Sequence, residues 1–340
     1  MSSSTSTSLD VTFPSLDGSV TLAGTVTAPS GPVTDLRPAV VIIHGSGRVD
    51  RNGNPPAASG IEIHVYSKLA SFFTDELGWV CLRYDKRGTG ASTNGDKLLF
   101  TRAGMSDLAQ DAVQATKLLS TMPRVDASKV ILAGHSEGAI LLAQVAKLVG
   151  QPIHGLFYVA GFGESLEIAV RCQQSRAVAE IAVMKGFQAW LMRRFLSEKS
   201  LQKKIDDLKA KVNKTDKDVI TEYCGLVKTP AKWWREHFAY DLPRIHADCA
   251  RVTSHVLIIT GAKDVQCRAE FCTVEHAKSI LTQAASVTCA VPAKMTHLLR
   301  PMEGTPSLVK SMEEYKKTAK DPLDSEFVDA VRQWARAIEC

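Results

Sequence analysis

The chain has 340 residues, which is enough for one large α/β domain with an insertion or for two small domains. Hydrophobic residues make up 45% of it and charged residues 23%, as is ordinary for a soluble globular protein. The net charge of +5 is modest and the basic residues are spread along the chain, so the composition indicates no nucleic-acid partner.

The first residues predict a short polar leader. Residues 1–10 are low in complexity, and we expect them to be disordered. They lack the basic start and apolar core of a secretory signal, and no run of 18 apolar residues occurs in the chain. We therefore expect a cytoplasmic protein with no stable membrane insertion. The eight cysteines are scattered and form no zinc-like set, so we expect reduced thiols, no metal and no cofactor.

Strands and helices alternate along most of the chain. Residues 11–27 alternate apolar and polar side chains around a turn at 16–19, which predicts a β-hairpin. Residues 39–43 are a continuous apolar run, typical of a strand buried on both faces. Further elements are predicted in this order: helix 65–77, strand 79–84, helix 108–119, strand 130–133, helix 140–149, strand 156–160, strand 255–259, helix 270–281, strand 286–291 and helix 325–338. This alternation predicts an α/β protein with a doubly wound, mostly parallel sheet.

One long region breaks the alternation. Residues 163–245 contain no convincing strand, and helical patterns cover 168–195, 201–212, 219–227 and 233–240. About eighty residues are too many for a loop. We interpret 163–245 as a helical cap inserted between two core segments, 11–162 and 246–340. Such a cap would lie over the carboxyl ends of the strands, where open α/β sheets bind ligands.

The cap contains the most basic stretch of the chain. Residues 193–218 carry nine Lys or Arg against five acidic residues. Apolar residues fall inside this stretch at helical spacing. This pattern favours the solvated face of a helix over a site for an anionic membrane or an acidic partner.

The strand at 130–133 ends in Gly134-His135-Ser136-Glu137-Gly138, and a second apolar run starts at once. A Gly-x-Ser-x-Gly sequence in this context turns a buried strand sharply into a helix, with the serine at the apex. The glycines let strand and helix pass closely, and the helix N-terminus favours a developing negative charge. The pattern predicts Ser136 as a nucleophile, and the alternative is an ordinary serine in a glycine-rich turn.

A serine nucleophile needs an imidazole to take its proton and a carboxylate to orient that imidazole. Asp264 follows the strand at 255–259, and His297 follows the strand at 286–291. The order Ser, acid, His is the one used on this kind of sheet. The alternatives are that Asp264 only caps a helix and that His297 is an ordinary loop histidine. His276 lies in a predicted helix and is a poor rival.

The strand at 39–43 runs into the small-residue loop His44-Gly45-Ser46-Gly47. We predict that the backbone amides of Ser46 and Glu137 form the oxyanion hole. The alternatives are the Gly47 amide in place of that of Ser46, and a structural turn without this role. The remaining residues predicted to contact substrate are Gly45, Gly47 and His135 near the nucleophile and Trp233, Trp234 and Phe238 in the cap. The three aromatic residues could equally well pack the cap itself.

Together these segments resemble the α/β-hydrolase superfamily. Residues 44–47 match its oxyanion loop, residues 85–92 match its Asp-x-Arg-Gly-x-Gly-x-Ser loop, and residues 134–138 match its nucleophile elbow. Residues 47–54 are similar to an extended loop found in a subgroup of esterases and serine-peptidase-like hydrolases. The resemblance implies an α/β-hydrolase fold with an inserted cap, and the cap is its least specific part.

The residue at the elbow narrows the expected chemistry. Related dehalogenases and epoxide hydrolases use an aspartate there, and dienelactone hydrolases use a cysteine, so Ser136 argues against all three. We expect hydrolysis of a small-molecule carboxylic ester with a small to medium acyl group, through an acyl-enzyme. A serine aminopeptidase-like peptidase, for which Glu164 and Glu167 could bind the amino terminus, or an acyl thioesterase is the alternative. A ligand receptor without catalytic activity is a third reading.

Overall fold

The computed structural model describes residues 6–32, 35–222 and 226–339. The described strands are β1 (Thr7–Pro14), β2 (Thr21–Ala28), β3 (Arg37–Ile43), β4 (Val80–Tyr84), β5 (Val125–His135), β6 (Gly155–Val159), β7 (Val219–Glu222), β8 (Val227–Pro230), β9 (His255–Ile259) and β10 (Ser286–Ala290). Eight of these strands form one sheet in the order β1-β2-β4-β3-β5-β6-β9-β10. The first three strands in that order pair antiparallel and the others pair parallel.

The helices flank this sheet or form the insertion. The described α-helices are α1 (Val65–Ser71), α2 (Leu99–Arg102), α3 (Met105–Ser120), α4 (Glu137–Val149), α5 (Leu166–Val183), α6 (Phe187–Phe195), α7 (Glu198–Val212), α8 (Ala231–Ala239), α9 (Leu242–Cys249), α10 (Val274–Ile280), α11 (Ser311–Thr318) and α12 (Ser325–Glu339). A search of the described helices found none with the length and apolar character that crossing a bilayer requires.

The strands bury both of their faces, as a doubly wound sheet requires. In β3, Val41 and Ile43 pack in the apolar core on one side of the sheet, whereas Val40 and Ile42 pack in the core on the other side. Successive side chains of a strand point to opposite faces, so a continuous apolar run fills both cores at once. The predicted fold class, a doubly wound and mostly parallel sheet, is confirmed.

The first strand starts earlier than the sequence predicts. β1 begins at Thr7, so residues 7–10 of the predicted disordered leader are part of the sheet; residues 1–5 lie outside the described residues. β1 pairs with β2 from Thr7 opposite Ala28 to Pro14 opposite Thr21, and the Thr25 hydroxyl donates to Asp10 (2.7 Å). This edge strand is held by backbone pairing, and the side chains at its start are exposed. The sequence therefore shows no apolar pattern there.

The inserted region is less purely helical than predicted. The expected helix 219–227 is wrong: β7 and β8 form an antiparallel hairpin there, and residues 223–225 lie outside the described residues. The β-branched run Val219-Ile220-Thr221 favours a strand over a helix. The expected helix 168–195 is two helices, because Met184 is extended and Gly186 has φ +102°, which ends α5 before α6 begins.

The cap has an apolar core of its own. Ile205 and Val212 of α7 pack there with Ala231 and Phe238 of α8. Helix α9, which ends the insertion, packs instead on α4, and its Ile245 and Cys249 belong to the main core. Helix α8 therefore lies between the cap and the α/β core.

Candidate active site

Ser136 stands at a sharp turn between β5 and α4. Its backbone has φ +56° and ψ −116°, a strained conformation for a residue with a side chain. A Cβ added to Gly138 would lie 2.2 Å from the Ile43 carbonyl oxygen, and one added to Gly134 would lie 2.3 Å from the Gly138 carbonyl oxygen. Strand and helix therefore pass at a distance that only glycine permits, and the turn holds Ser136 at the carboxyl end of the sheet.

Asp264 and His297 form a buried pair at the same end of the sheet. The distance from His297 Nδ1 to Asp264 Oδ2 is 2.9 Å, and Asp264 Oδ1 accepts from the amides of Gln266 and Cys267. Burial by itself would raise the pKa of Asp264, but the His297 charge, the hydrogen bond from His297 and the two amides outweigh it and lower the pKa. An ionised Asp264 holds the Nδ1 proton of His297 and leaves Nε2 able to accept a proton.

A chain of hydrogen bonds connects the loop after β3 with the loop that carries His297. The Gly45 amide donates to the Tyr66 hydroxyl oxygen (2.7 Å), which lies 3.1 Å from His135 Nδ1, and His135 Nε2 lies 2.8 Å from the His297 carbonyl oxygen. Burial lowers the pKa of His135 to about 3, so the ring is neutral and donates through one nitrogen only. His135 is thus buried behind the site and does not line the cavity, so its predicted contact with substrate stays a prediction.

These hydrogen bonds also bring His297 close to the nucleophile. The rings of His135 and His297 lie 4.8 Å apart between centroids, and Ser136 is the next residue after His135. Within the described ranges no hydrogen bond joins Ser136 to His297. Such bonds are often long without substrate and tighten when it binds.

A small cavity lies beside the nucleophile. Ser46, Ser136 and Glu137 all line this cavity, which has a volume of about 140 Å³. Gly45 lies behind them, where an added Cβ would come within 3.1 Å of the Ser136 Cβ, and Gly47 is exposed with φ +86°. Ser46 and Glu137 therefore share the cavity with the nucleophile, whereas neither Gly45 nor Gly47 forms part of its wall, and the oxyanion hole stays a prediction.

Lys86 fixes the peptide that carries the Ser46 amide. Its Nζ is buried and donates to the Gly45 carbonyl oxygen (2.6 Å). The carbonyl of Gly45 and the N–H of Ser46 belong to one planar trans peptide and point in opposite directions. Burial lowers the pKa of Lys86, and the nearby carboxylate of Glu137 acts against that effect.

The side chain of Glu137 connects the elbow with the cap. The carboxylate is buried, and one oxygen accepts from Trp233 Nε1 (2.5 Å) and lies 2.9 Å from His237 Nε2. Burial acts to raise the pKa of Glu137, but the hydrogen bond from His237, the charge of Lys86 and the Trp233 hydrogen bond outweigh it and lower the pKa. Helix α8 is thus bound to the residue that follows the nucleophile.

Helix α8 presents one of its predicted aromatic residues to the cavity. Trp233 lines the wall together with side chains from α4, the loop after β6 and the first turns of α5. Trp234 and Phe238 stack on each other with 5.4 Å between ring centroids and pack with the apolar core of the cap. Of the two alternatives for these aromatic residues, packing of the cap describes Trp234 and Phe238, whereas Trp233 lines the cavity.

One cluster in the described part of the chain has ligand types that metals use. The side-chain ligand atoms of Asp264, Cys267 and His297 lie within 4.8 Å of one another. Asp264 and His297 already bond to each other, and Cys267 Sγ donates to the Ala160 carbonyl oxygen (2.9 Å). The geometry of these three residues is that of a buried hydrogen-bonded pair with a thiol beside it.

Comparison with known proteins places this arrangement in a family. The family model described as serine aminopeptidase, S33, matches residues 59–300, well over half of the chain. The chain belongs to this family. Esterase EstD of Thermotoga maritima is 26% identical over 321 residues, which cover 92% of this chain and 65% of EstD. The chain thus spans less than two thirds of the length of that relative.

Solved structures show the same fold at low sequence identity. The α/β-hydrolase GrgF from Penicillium sp. sh18 is 13% identical with a TM-score of 0.53, over 97% of this chain and 98% of GrgF. Est1E from Butyrivibrio proteoclasticus, solved with ferulic acid bound, is 16% identical with a TM-score of 0.52, over 90% of this chain and 96% of Est1E. The α/β-hydrolase fold implied by the sequence motifs is confirmed.

Sequence reasoning missed the side chains that support the predicted residues. Lys86 belongs to the Asp-x-Arg-Gly loop, and Tyr66 opens α1, but neither position alone indicates a contact with the loop at 44–47. For Glu137 the sequence did contain a signal. An acidic residue directly after the nucleophile stands at a position that the fold buries, and a buried acidic residue is rarely without a partner.

Proposed function

We propose that this chain is a serine hydrolase that cleaves carboxylic esters through an acyl-enzyme, with Ser136, His297 and Asp264 as its catalytic residues. The observation that carries the proposal is the strained turn that holds Ser136 beside the buried Asp264–His297 pair. Membership of a serine hydrolase family and the 26% identity to EstD, which is named an esterase, support it.

The proposed reaction has an acylation step and a deacylation step. Ser136 Oγ attacks the ester carbonyl carbon while its proton passes to His297 Nε2, and Asp264 stabilises the imidazolium. The amides of Ser46 and Glu137 hold the oxyanion. When the tetrahedral intermediate collapses, the alcohol leaves with the proton from His297 and the acyl group stays on Ser136. Water then gives a proton to His297 as it attacks the acyl carbon. When this second tetrahedral intermediate collapses, the bond from the acyl carbon to Ser136 Oγ breaks, Oγ takes the proton back from His297, and the acid is released.

The cavity next to Ser136 supports a short acyl group. A cavity of about 150 Å³ holds a molecule the size of benzene, and the cavity here is about 140 Å³. Its wall is mostly apolar, with Ile140, Phe162, Val170 and Trp233 among the lining side chains. We infer that acyl groups of about four to six carbons fill it.

Two acidic residues, Glu164 and Glu167, already form ion pairs within the protein, which favours ester substrates over aminopeptidase substrates. An aminopeptidase needs a free carboxylate to bind the substrate amino terminus. Glu164 forms an ion pair with Arg268, and Glu167 forms ion pairs with Arg171 and Lys209. A substrate ammonium would have to displace cations that already neutralise both carboxylates.

The test measures initial rates on p-nitrophenyl acetate, butyrate and octanoate and on an aminoacyl p-nitroanilide, with fluorophosphonate labelling in parallel. We expect the butyrate to be hydrolysed fastest, because it fills the cavity without exceeding it. Ser136→Ala should lose both labelling and at least about 10⁴-fold of the rate. Ser279→Ala, which removes an exposed hydroxyl on α10, should retain both.

Three outcomes would contradict the proposal. A wild-type protein without labelling or turnover would indicate a ligand receptor on this fold. Labelling without ester turnover, or faster turnover of the anilide, would indicate a peptidase or a thioesterase. Activity that persists in Ser136→Ala would exclude Ser136 as the nucleophile.

A further inference from the structure

Helix α6 turns its large apolar side chains toward solvent. Phe187, Trp190 and Phe195 are 74%, 55% and 70% exposed, and Leu191 is 44% exposed. These four residues, the α6 stripe, stand at positions i, i+3, i+4 and i+8 and so share one face of the helix. On an ordinary surface helix such a stripe packs against the core. Here the stripe lies on the outer surface of the cap.

Hydrogen bonds hold α6 in this orientation. Arg193 Nη1 donates to the carbonyl oxygens of Ile181 (3.0 Å) and Met184 (2.7 Å), which fastens α6 to the C-terminal end of α5. The rings of Phe187 and Trp190 stack at 5.6 Å between centroids. The stripe is therefore a defined surface of the protein.

Exposed cations lie within α6 and precede and follow it along the chain. Arg194 lies on the same helix face as the stripe, Lys185 precedes the helix, and Lys199 and Lys204 follow on α7; all four are exposed. Among the described residues no carboxylate forms an ion pair with any of them. Glu198 is the only acidic residue of the sequence from 183 to 204. The surface is thus both apolar and positively charged.

We propose that the α6 stripe docks on the surface of a bilayer that contains anionic phospholipids. A short helix with aromatic and aliphatic residues beside cations is the kind that lies in a membrane interface, with its apolar face among the acyl chains and its cations at the headgroups. A second copy of the chain fits less well. A symmetric interface over the stripe would bring each group of cations against the same group on the other copy.

The first measurement is co-sedimentation of the full chain with vesicles. Vesicles of phosphatidylcholine alone are compared with vesicles of phosphatidylcholine and phosphatidylglycerol. We expect binding to the anionic vesicles only, and weaker binding as NaCl is raised. The variant Phe187→Ser/Trp190→Ser/Phe195→Ser should bind at least about tenfold more weakly, because it removes most of the apolar area that enters the interface.

A second variant tests the charge separately. Arg194→Gln/Lys199→Gln should weaken binding about fivefold per cation removed and flatten the salt dependence. The matched control replaces three similarly exposed leucines in another part of the chain, in the variant Leu9→Ser/Leu16→Ser/Leu36→Ser. The control should bind as the wild type does.

The proposal is overturned if the wild type fails to sediment with anionic vesicles, or if the serine variant sediments as well as the wild type. It is also overturned if sedimentation velocity shows a dimer that the serine variant converts to a monomer, because a second copy then covers the stripe. Hydrolysis of soluble p-nitrophenyl butyrate and the thermal unfolding midpoint should stay unchanged in all variants. A failure of docking is thereby distinguishable from a failure of the proposed hydrolase activity and from misfolding.

Discussion

Replacing Lys86 tests whether a side chain behind the oxyanion hole sets its geometry. Lys86→Met keeps the length of the side chain but removes the ammonium that donates to the Gly45 carbonyl oxygen (2.6 Å). The Ser46 N–H then loses the contact that fixes its peptide plane and polarises it as a donor. Removing one oxyanion donor outright costs about 2.7–4 kcal/mol.

We expect Lys86→Met to forfeit roughly half of that amount, because the amide is still present but no longer held in one direction. Half of it, about 1.4–2 kcal/mol, corresponds to a fall in kcat of about 10- to 30-fold. KM should change little, because the donor acts on charge that develops after the substrate has bound.

The stability of the variant separates this effect from a general disturbance. The Gly45 carbonyl loses its donor, which costs about 1–3 kcal/mol for a buried group. The desolvation penalty of a buried ammonium disappears at the same time. We therefore expect the free energy of unfolding, measured in urea, to fall by less than about 3 kcal/mol, so that the variant folds.

The assay combines kcat and KM on p-nitrophenyl butyrate with inhibition by an alkyl boronic acid, whose adduct with Ser136 resembles the tetrahedral intermediate. Affinity for the boronic acid should fall in proportion to kcat/KM. Lys117→Met, an exposed lysine on α3, serves as the control and should behave like the wild type. The reasoning is refuted if Lys86→Met raises KM and leaves kcat unchanged, or if boronic acid affinity stays the same.

Three further substitutions test other parts of the site. Asp264→Asn should lower kcat about 10⁴-fold at an unchanged unfolding midpoint, because His297 then loses the anion that orients it; a loss under tenfold would contradict this. Gly138→Ala should yield little folded protein by circular dichroism, since its Cβ would lie 2.2 Å from the Ile43 carbonyl oxygen; normal folding would show that the elbow can relax. Below pH 6.5 the unfolded chain binds a proton at His44 that the folded protein excludes, because burial holds the folded pKa well below that value. His44 alone should therefore lower the free energy of unfolding by about 1.4 kcal/mol per pH unit as pH decreases. His44→Phe should reduce the slope in urea titrations by this amount, whereas an unchanged slope would exclude it.

The catalytic candidates could be predicted because each follows a strand with a strong local pattern. Ser136 follows a buried run and stands between glycines, and Asp264 and His297 come after runs that end at the same edge of a parallel sheet. Parallel strands bring their carboxyl ends together whatever the distance along the chain. A rule about single strands was therefore enough to bring together residues more than a hundred positions apart.

The aromatic residues of α8 illustrate what a rule based on single elements cannot predict. Trp234 and Phe238 are four residues apart and share one face of the helix, and Trp233 and His237 share another. Spacing alone defines both faces but does not say which of them meets the cavity. In the structure, the buried carboxylate of Glu137 determines which face meets the core. It needs hydrogen-bond donors, and Trp233 and His237 supply them from the same face of α8.

That contact has a consequence for how the cap can move. The Glu137 carboxylate belongs to the residue whose amide is proposed to hold the oxyanion, and a buried anion left without partners is strongly unfavourable. Two further hydrogen bonds hold helix α8 on the core. Lys232 Nζ donates to the Asp107 carboxylate (2.7 Å), and the Ser106 amide donates to the Glu236 carboxylate (2.7 Å). Any opening that detached α8 would leave the Glu137 charge unpaired. We therefore expect α8 to stay with the core, and any change in access to Ser136 to come from α5 to α7, the part of the cap that carries the α6 stripe.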